Sequence, residues 1–396
     1  MPEPDFHGLR DEVDRLVRQP DFDTVRQRAG RLRTRARVAA TTGVLGALVA
    51  LALGAASVLP FLRTPVAPAA GEARVLWAGG GDRTRLYAVL ADCATCPHRL
   101  VASTDGGRSW DRRAEFPSSV GDDPVAVTVL GPEFLVAQVP VGPASKGGGE
   151  TVRRISTDGG ATWRDAGQGG TPRAAAVPGT RLWGCLIHVP QGCDILVPDP
   201  RNAAVVPLAT QPPLDAAVPV DAPPAAGHWV RGCDPATGRR AAAVSRTGGR
   251  SWQKIVFDRE PEADRPVGCA FDLATTDGRT VFATLSDEQG VPRRVYRSVD
   301  GGATWQGEEP RLPDGWVVQA GSTVTVDGTH VLLAELESRF GLLTSRDGRT
   351  YAPLAVDGPV HHDAPRAVAP DRWIRHDERT VYLSDDGLHW RPLDVG

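Results

Sequence analysis

Lysine and tyrosine are both scarce in this chain, and each scarcity limits the classes of function that the chain can have. Lys146 and Lys254 are its only lysines, so arginine supplies nearly all the positive charge, and the formal net charge is −3. No global field therefore attracts nucleic acid or acidic substrates, and we expect no nucleic-acid partner. With only four tyrosines, candidates for a tyrosine nucleophile are few.

Long hydrophobic runs are also missing, with one exception near the N-terminus. Val38–Leu59 carries no charge and would span roughly 33 Å as a helix, enough to cross a membrane. Six arginines precede this run without an intervening acid, and only Arg63 follows closely. The positive-inside bias therefore places the N-terminus in the cytoplasm and the rest of the chain outside the cell membrane.

This charge pattern predicts four regions: a partly helical cytoplasmic tail over 1–37, a single transmembrane helix over 38–62, a Pro/Ala-rich linker over 63–72 and an extracellular domain over 73–396. The alternative is a cleaved signal peptide with Ala67–Ala69 near its cleavage site. Signal peptides have shorter apolar regions and shorter charged regions, which favours the uncleaved anchor and hence a single-pass membrane protein.

An octapeptide recurs after residue 73, as STDGGRSW, STDGGATW and SVDGGATW. SRTGGRSW has threonine in place of aspartate, whereas SRDGRTY and SDDGLHW are one residue short. These six segments, which we call the boxes, begin at Ser103, Ser156, Ser245, Ser298, Ser345 and Ser384. The interval after the second box is about twice the others, and VPDPRNAAV, with Asp199, lies midway as a degenerate copy.

A second signature supports seven units. A large apolar residue stands in an apolar run upstream of every box, the degenerate copy included. These residues are Tyr87, Phe134, Trp183, Trp229, Phe282, Leu332 and Trp373. Seven units between 73 and 396 average about 46 residues, the size of a four-stranded propeller blade. The sequence therefore predicts an all-β, seven-bladed β-propeller of four-stranded blades, preceded by one transmembrane α-helix.

Each box reads as a hairpin turn between two strands. Its aspartate can accept hydrogen bonds from the N–H groups of its own turn, its glycines supply positive φ, and its tryptophan packs on the blade. Such a residue set has little left over for a substrate, so we predict a structural role and no catalytic residue among them. These residues are Ser103, Asp105, Trp110, Ser156, Asp158, Trp163, Ser245, Trp252, Ser298, Asp300, Trp305, Ser345, Asp347, Tyr351, Ser384, Asp386 and Trp390.

The boxes resemble the Asp-box (BNR) repeats of sialidases, sortilin-type receptor ectodomains, xyloglucanases and photosystem II assembly factors. The resemblance covers roughly 73–396 and implies a propeller. In those families the repeats are peripheral and occur in enzymes and non-enzymes alike, so the resemblance leaves the function open.

A sialidase-like glycosidase is the enzymatic alternative. By resemblance it requires an arginine triad, a tyrosine nucleophile paired with glutamate, and an aspartate acid. Tyr296 and Tyr382 each stand two residues before a box serine, Tyr351 replaces a box tryptophan, and Tyr87 fills the apolar position of its unit. Periodicity therefore assigns every tyrosine a structural position, which argues against this activity.

Blade topology indicates where a binding site should lie. In an up-and-down blade the first and third turns share one edge, so a site should lie at the edge opposite the boxes. The candidate residues predicted there are Glu260, Glu262, Asp264, Asp287, Glu288, His361, His362 and Asp363. Metal ligation by the two histidines and Asp363 lacks a third spaced ligand group, so we predict no metal and no cofactor.

The chain has six cysteines, an even number that favours disulfides outside the cytoplasm. We expect the pairs Cys93–Cys96, Cys185–Cys193 and Cys233–Cys269. A redox role for the CATC segment at Cys93 is the alternative, but that chemistry needs a helix N-terminus, and this segment lies between predicted strands.

These observations predict a membrane-anchored binding scaffold that recognises a protein or a glycan at the propeller face opposite the boxes. The alternatives are a sialidase-like hydrolase and an accessory or assembly factor of a membrane complex.

Overall fold

A computed structural model describes residues 73–93, 95–117, 125–141, 150–166, 170–184, 194–257, 269–287, 289–356 and 358–395. The predicted tail, transmembrane segment and linker lie outside these ranges. Within them there is no α-helix, and no helix is long and apolar enough to cross a membrane. One 3-10 turn, Pro224–Ala226, is present.

The described residues form strands throughout, as the sequence predicts. The strands are β1 (Arg74–Gly80), β2 (Leu86–Ala91), β3 (His98–Ser103), β4 (Asp111–Phe116), β5 (Ala126–Val129), β6 (Leu135–Val141), β7 (Glu150–Ser156), β8 (Arg164–Asp165), β9 (Leu196–Asp199), β10 (Ala204–Pro207), β11 (Asp215–Pro219), β12 (His228–Cys233), β13 (Arg240–Ser245), β14 (Gln253–Val256), β15 (Asp272–Thr275), β16 (Val281–Ser286), β17 (Pro292–Ser298), β18 (Gln306–Glu308), β19 (Val317–Val324), β20 (His330–Leu336), β21 (Arg339–Ser345), β22 (Ala352–Leu354), β23 (Arg366–Ala369), β24 (Arg372–His376), β25 (Val381–Ser384) and β26 (Arg391–Leu393).

Consecutive strands pair into seven antiparallel sheets, which we number in chain order. Sheet 1 holds β1–β4, sheet 2 β5–β8, sheet 3 β9–β10, sheet 4 β11–β14, sheet 5 β15–β18, sheet 6 β19–β22 and sheet 7 β23–β26. In most four-stranded sheets the second strand is the more buried and the last is the more exposed, as in β2 and β4. The chain therefore builds each sheet from the inside outward.

Sheet 3 departs from the predicted four strands. Its described residues form a two-stranded ladder, to which Trp183 adds a single bridge to Leu196 through bonds of 2.7 and 2.8 Å. The segment before Trp183 bonds partly elsewhere, because the N–H of Ala176 donates to the carbonyl of Gly248 in the next box at 2.8 Å. The N–H of Arg173 in the same segment donates to the Pro207 carbonyl of sheet 3 at 2.9 Å, so the segment divides its bonds between two sheets.

Hydrophobic cores join the successive sheets from sheet 1 to sheet 6, and one more core closes the ring between sheet 7 and sheet 1. There Val75, Leu86 and Leu90 of sheet 1 pack with Val381 and Leu383 of sheet 7. No strand is exchanged across this closure in the described ranges, because every four-stranded sheet consists of four consecutive strands. The fold is an all-β propeller closed by apolar packing.

Candidate functional site

Antiparallel pairing divides the connections of every sheet between two edges. The box edge carries the turns after the first and third strands of each sheet, and therefore all the boxes. The loop edge carries the turns after the second strands and the links from one sheet to the next.

The first box is closed by its own hydrogen bonds. Asp105 Oδ1 accepts bonds from Ser103 Oγ at 2.8 Å and from the N–H groups of Arg108 and Ser109 at 2.9 and 3.0 Å. Asp105 Oδ2 accepts the Ser109 hydroxyl at 2.7 Å, and Ser103 Oγ in turn accepts the Gly107 N–H at 2.8 Å. The same bond, from the N–H of a box glycine to the Oγ of the box serine, recurs at 2.7 to 3.0 Å in the other five boxes. The donors there are Gly160, Gly249, Gly302, Gly348 and Gly387.

A box glycine also brings each turn against the preceding sheet. Gly107 and Gly302 have φ of 88°, where side chains are strained. A Cβ on Gly107 would lie 2.7 Å from Leu393 of sheet 7, and one on Gly302 would lie 2.9 Å from the Trp229 ring of sheet 4. The glycine is therefore required twice, for backbone conformation and for close approach.

The box aromatic rings pack in the same direction. Trp163 of sheet 2 meets Phe116 of sheet 1 edge-to-face at 5.3 Å, and Trp305 of sheet 5 meets Phe257, beside sheet 4, at 5.3 Å. Trp110, Trp252 and Tyr351 also contact inter-sheet cores, whereas Trp390 packs within sheet 7, against Trp373 and Tyr382. The boxes thus join neighbouring sheets.

Hydrogen bonding holds the box carboxylates in their charged form. The Ser109 side chain and N–H and the Ser103 hydroxyl lower the pKa of Asp105. The Thr304 side chain and N–H and the Ser298 hydroxyl lower the pKa of Asp300 to about 2. A carboxylate held this way is a poor general acid at neutral pH.

The two atypical boxes keep parts of this arrangement. In the fourth sheet Thr247 Oγ1 accepts the Ser251 N–H at 3.0 Å, in place of the missing carboxylate. In the degenerate third copy, Asp199 turns to other partners and accepts Arg173 at 2.9 Å and Asn202 at 2.7 Å.

All four tyrosines are buried inside or between sheets. The Tyr87 hydroxyl donates to the Pro132 carbonyl at 2.5 Å, and burial raises the pKa of Tyr87 to about 12. Tyr351 shares a 2.8 Å hydrogen bond with His330. Tyr382 donates to Asp377 at 2.8 Å, while Tyr296 packs on Phe257 at 5.0 Å. None of them lines either of the two cavities described below.

A cavity of about 180 Å³ lies at the centre of the ring, lined by the first strands of sheets 1, 2, 4 and 7 and by residues 181–184. Arg181 reaches across it. Its guanidinium donates to the carbonyls of Gly80, Ala367 and Ala222 at 2.8, 3.0 and 3.3 Å, and lies 3.6 Å from Asp221. Burial lowers the pKa of Arg181. One arginine of the segment between sheets 2 and 3 therefore bonds to sheets 1, 4 and 7.

A larger cleft, about 610 Å³, opens at the box edge beside the degenerate copy. Arg173, Arg201 and Arg250 line it together with Asp199. Because Asp199 pairs with Arg173, the cleft has a modest positive character.

The structure locates some of the candidate residues predicted for the opposite edge. Glu260, Glu262, Asp264 and Glu288 lie outside the described residues. Asp287 lies at the loop edge and is closed on its own turn, accepting the N–H groups of Gln289 and Val291 at 3.0 and 2.9 Å. It also accepts Arg293 Nε at 2.8 Å, so its carboxylate is not available to a ligand.

His361, His362 and Asp363 do come together at the loop edge, in the link from sheet 6 to sheet 7. One ligand atom from each lies within 4.8 Å of the others, and the two imidazole centroids are 3.8 Å apart. Burial and the neighbouring His376 and His362 lower the pKa of His361 to about 4. A contact from His376 lowers the pKa of Asp363 to about 2.

Two of the three predicted disulfides are confirmed, Cys93–Cys96 and Cys233–Cys269. Both lie at the loop edge, the first within the β2–β3 turn and the second between the end of β12 and the link into sheet 5. No free cysteine occurs among the described residues. The predicted pair Cys185–Cys193 lies outside them.

Sequence reasoning missed two residues that the structure makes prominent. Arg181 gave no signal because arginine is abundant everywhere in this chain. His376 was missed because it stands at the end of the second strand after Asp363, so only strand pairing brings it back to the link.

No family model and no curated protein matches this chain. Several solved propeller structures do. YCF48 bound to D1 peptide is 14% identical over 81% of this chain and 82% of that chain, with a TM-score of 0.32. The propeller domain of the Trilobed protease from Pyrococcus furiosus is 12% identical over 82% and 98%, with a TM-score of 0.42.

The GH74 enzyme of Niastella koreensis is 13% identical over 81% of this chain and 48% of that chain, with a TM-score of 0.26. This chain thus spans about half the length of that enzyme. Likeness at these identities concerns the fold alone, a β-propeller, and membership of the Asp-box family stays a prediction.

Proposed function

We propose that this chain is a membrane-anchored, extracytoplasmic binding scaffold whose loop edge recognises a protein or a glycan. The observation that carries the proposal is the chemistry of the central cavity. Among the described residues, Asp221 is the only carboxylate that lines it, and Arg181 lies 3.6 Å from that carboxylate while crossing the cavity. A two-carboxylate glycosidase needs an acid and a base or nucleophile on either side of its substrate, and this cavity offers no such pair.

The tyrosines argue against the sialidase-like alternative. That mechanism needs an exposed tyrosine activated by glutamate, whereas here every tyrosine is buried. The pKa of Tyr87, Tyr351 and Tyr382 is raised by burial, which disfavours the phenolate. Binding without turnover is the simpler use of this surface.

Connection length supports the loop edge as the recognition surface. The connections at this edge include 117–125, 257–271 and 355–365, whereas the longest connection at the box edge between described strands is 220–227. Boxes are constrained by their contacts with the preceding sheet, while loop-edge connections can vary without disturbing the ring. Recognition residues are found preferentially on such loops held by a rigid scaffold.

The proposed membrane anchor is supported by the sequence, and the proposed extracytoplasmic compartment is supported by the chemistry of the cysteines. The uncharged run over 38–62, with arginines before it, supports a single span with its N-terminus in the cytoplasm. The two disulfides support an oxidising compartment for the propeller, on the far side of that span.

Four exposed valines allow a matched test of the recognition edge. Val291 and Val317, 39% and 50% exposed, lie at the loop edge, whereas Val299 and Val326, 46% and 57% exposed, lie at the box edge. Each is replaced by photoreactive benzoylphenylalanine in the full chain, which is then irradiated in its native membranes. We expect a discrete adduct from the two loop-edge positions and none from the box-edge positions.

An adduct from the box-edge positions alone would contradict the proposal. An adduct from benzoylphenylalanine placed at Arg201, in the cleft at the box edge, would contradict it too. Identification of the adduct separates the candidates, since an integral membrane protein would favour an accessory of a membrane complex. A fluorogenic sialoside is assayed with the same full chain. Turnover that survives purification and is lost in a tyrosine-to-phenylalanine variant would establish the sialidase-like alternative instead.

A further inference from the structure

A carboxylate at the loop edge is flanked by two imidazole nitrogens that lack hydrogen-bond partners. His376 Nε2 lies 3.5 Å and His361 Nδ1 lies 4.0 Å from the same atom, Asp363 Oδ2. Both nitrogens are buried without a partner, and the His376 side chain is only 4% exposed. Buried polar atoms are nearly always satisfied, so this convergence needs an explanation.

The remaining contact of His376 indicates what is missing. His376 Nδ1 lies 3.2 Å from the carbonyl of Asp377, which can only accept, so Nδ1 is the nitrogen that donates to it. His376 Nε2 is left directed at the carboxylate of Asp363. A cation bound between these two atoms would satisfy both of them. A backbone carbonyl fixing the far ring nitrogen is the usual outer support of a metal-bound histidine.

We propose that His361, Asp363 and His376 bind a divalent transition-metal ion, zinc in the first instance, with His362 as the fourth ligand. His362 Nε2 lies 4.0 Å from Asp363 Oδ1 and its side chain is 63% exposed, so it can swing onto an ion or yield to water. Tetrahedral zinc with bonds of about 2.0–2.1 Å places its ligand atoms about 3.3 Å apart. The side chains must therefore close in on the ion, since these atoms lie 3.5 to 4.0 Å from the carboxylate and within 4.8 Å of one another. Imidazole with carboxylate is a donor set that suits zinc.

The site would connect two parts of the ring. His361–Asp363 belong to the link that leaves sheet 6, and His376 ends the second strand of sheet 7. Phe340 of sheet 6 lies 6.4 Å from the His362 ring and completes the wall. The ion would therefore fix the loop-edge link to sheet 7, independently of any partner that the loop edge binds.

The test measures zinc binding by the full chain, purified in detergent with its disulfides oxidised. After dialysis against zinc chloride and a weak chelator, we expect about one zinc ion per chain and a raised unfolding temperature, since the ion binds the folded state. Cobalt in place of zinc should give the visible absorption of a tetrahedral site. Asp363→Asn and His376→Gln should weaken binding by more than the about 10- to 100-fold that loss of an outer partner costs.

His389→Ala is the matched control. His389 also pairs with an aspartate, Asp386 at 2.6 Å, but on the box edge of the same sheet and with an 89% exposed side chain. The His389→Ala variant should bind zinc like the unaltered chain. If the His376→Gln variant does not fold, zinc binding by the Asp363→Asn variant decides the test. Failure of the unaltered chain to retain zinc, cobalt or nickel would overturn the proposal and would leave an ion pair between His376 and Asp363 as the explanation. Undiminished zinc binding by a folded Asp363→Asn variant would also overturn it.

Discussion

The two edges of sheet 5 show how differently the ring uses the same residue type. Gly302 at the box edge and Gly290 at the loop edge both have positive φ, 88° and 80°. A Cβ on Gly302 would meet the Trp229 ring of sheet 4 at 2.9 Å, whereas one on Gly290 would meet nothing within 4 Å. The box-edge turn of this sheet is thus part of the joint with sheet 4, while its loop-edge turn at Gly290 stands clear of any neighbour.

The means of stabilisation differ accordingly. Hydrogen bonds and apolar contacts close the box edge, six times with nearly the same residues. At the loop edge the described restraints include two disulfides, Cys93–Cys96 and Cys233–Cys269. A repeated joint constrains its sequence, whereas a covalent link leaves the residues around it free to vary, which suits a recognition surface.

Removing the long loop-edge disulfide should have the largest effect. Cys233 and Cys269 are separated by 36 residues, and a loop of that length predicts a loss of about 4 kcal/mol for the double alanine variant. Removing Cys93–Cys96, with a separation of 3, should cost less than half as much. Denaturant unfolding of the full chain in detergent checks both, and equal losses would contradict the loop-length argument.

Gly302→Ala should come next, with a loss of about 3 kcal/mol, because it adds both backbone strain and overpacking against Trp229. Gly290→Ala is the matched control in the same sheet, and only the strain applies there. Its loss should be about 1 kcal/mol. If the two variants unfold alike in denaturant, the box glycine does not join the sheets.

His330 makes the box edge of sheet 6 sensitive to acid. Burial lowers its pKa to about 3, from the ordinary 6.5 that applies in the unfolded chain. The unfolded chain therefore binds the extra proton first, and stability falls as pH drops from 6.5 towards 3. We expect the unaltered chain to lose about 2 kcal/mol more than His330→Gln between pH 7.5 and pH 5. Parallel pH profiles of the two chains would refute this.

A single box carboxylate should matter least. Burial opposes ionisation of Asp158, yet bonds from Thr162 and Ser156 outweigh it and keep its pKa below the ordinary value. Asp158→Ala should cost about 1 kcal/mol, as loss of a capping carboxylate does. Asp165, 77% exposed and paired with Arg154 at 3.4 Å, is the control, and its removal should cost less than about 0.5 kcal/mol. A midpoint shift in denaturant that is equal for both would contradict this difference.

Much of the box edge could be predicted from the sequence, because each box closes on its own backbone and local residues decide its geometry. The apolar residues upstream of the boxes, from Tyr87 to Trp373, are all buried as the repeat implies. Two disulfides followed from spacing and topology.

The loop edge and the centre could not be predicted in the same way, because their contacts join distant residues. Arg181 bonds to carbonyls of other sheets, and nothing in its local sequence marks it. His376 returns to Asp363 only after the strands have paired. The bond from the Ala176 N–H to the Gly248 carbonyl of the next box is likewise a tertiary contact that the local pattern does not indicate.

Native-state hydrogen exchange tests the central claim, that the boxes are internal joints of the ring, most directly. The N–H groups of Gly107, Gly160, Gly249 and Gly302 donate to box serines at 2.7 to 2.8 Å. We predict that these amides exchange only through global unfolding, while the amides of loop-edge turns such as Glu337–Ser338 exchange far faster. Box amides that exchange as fast as the loop-edge amides would contradict the account.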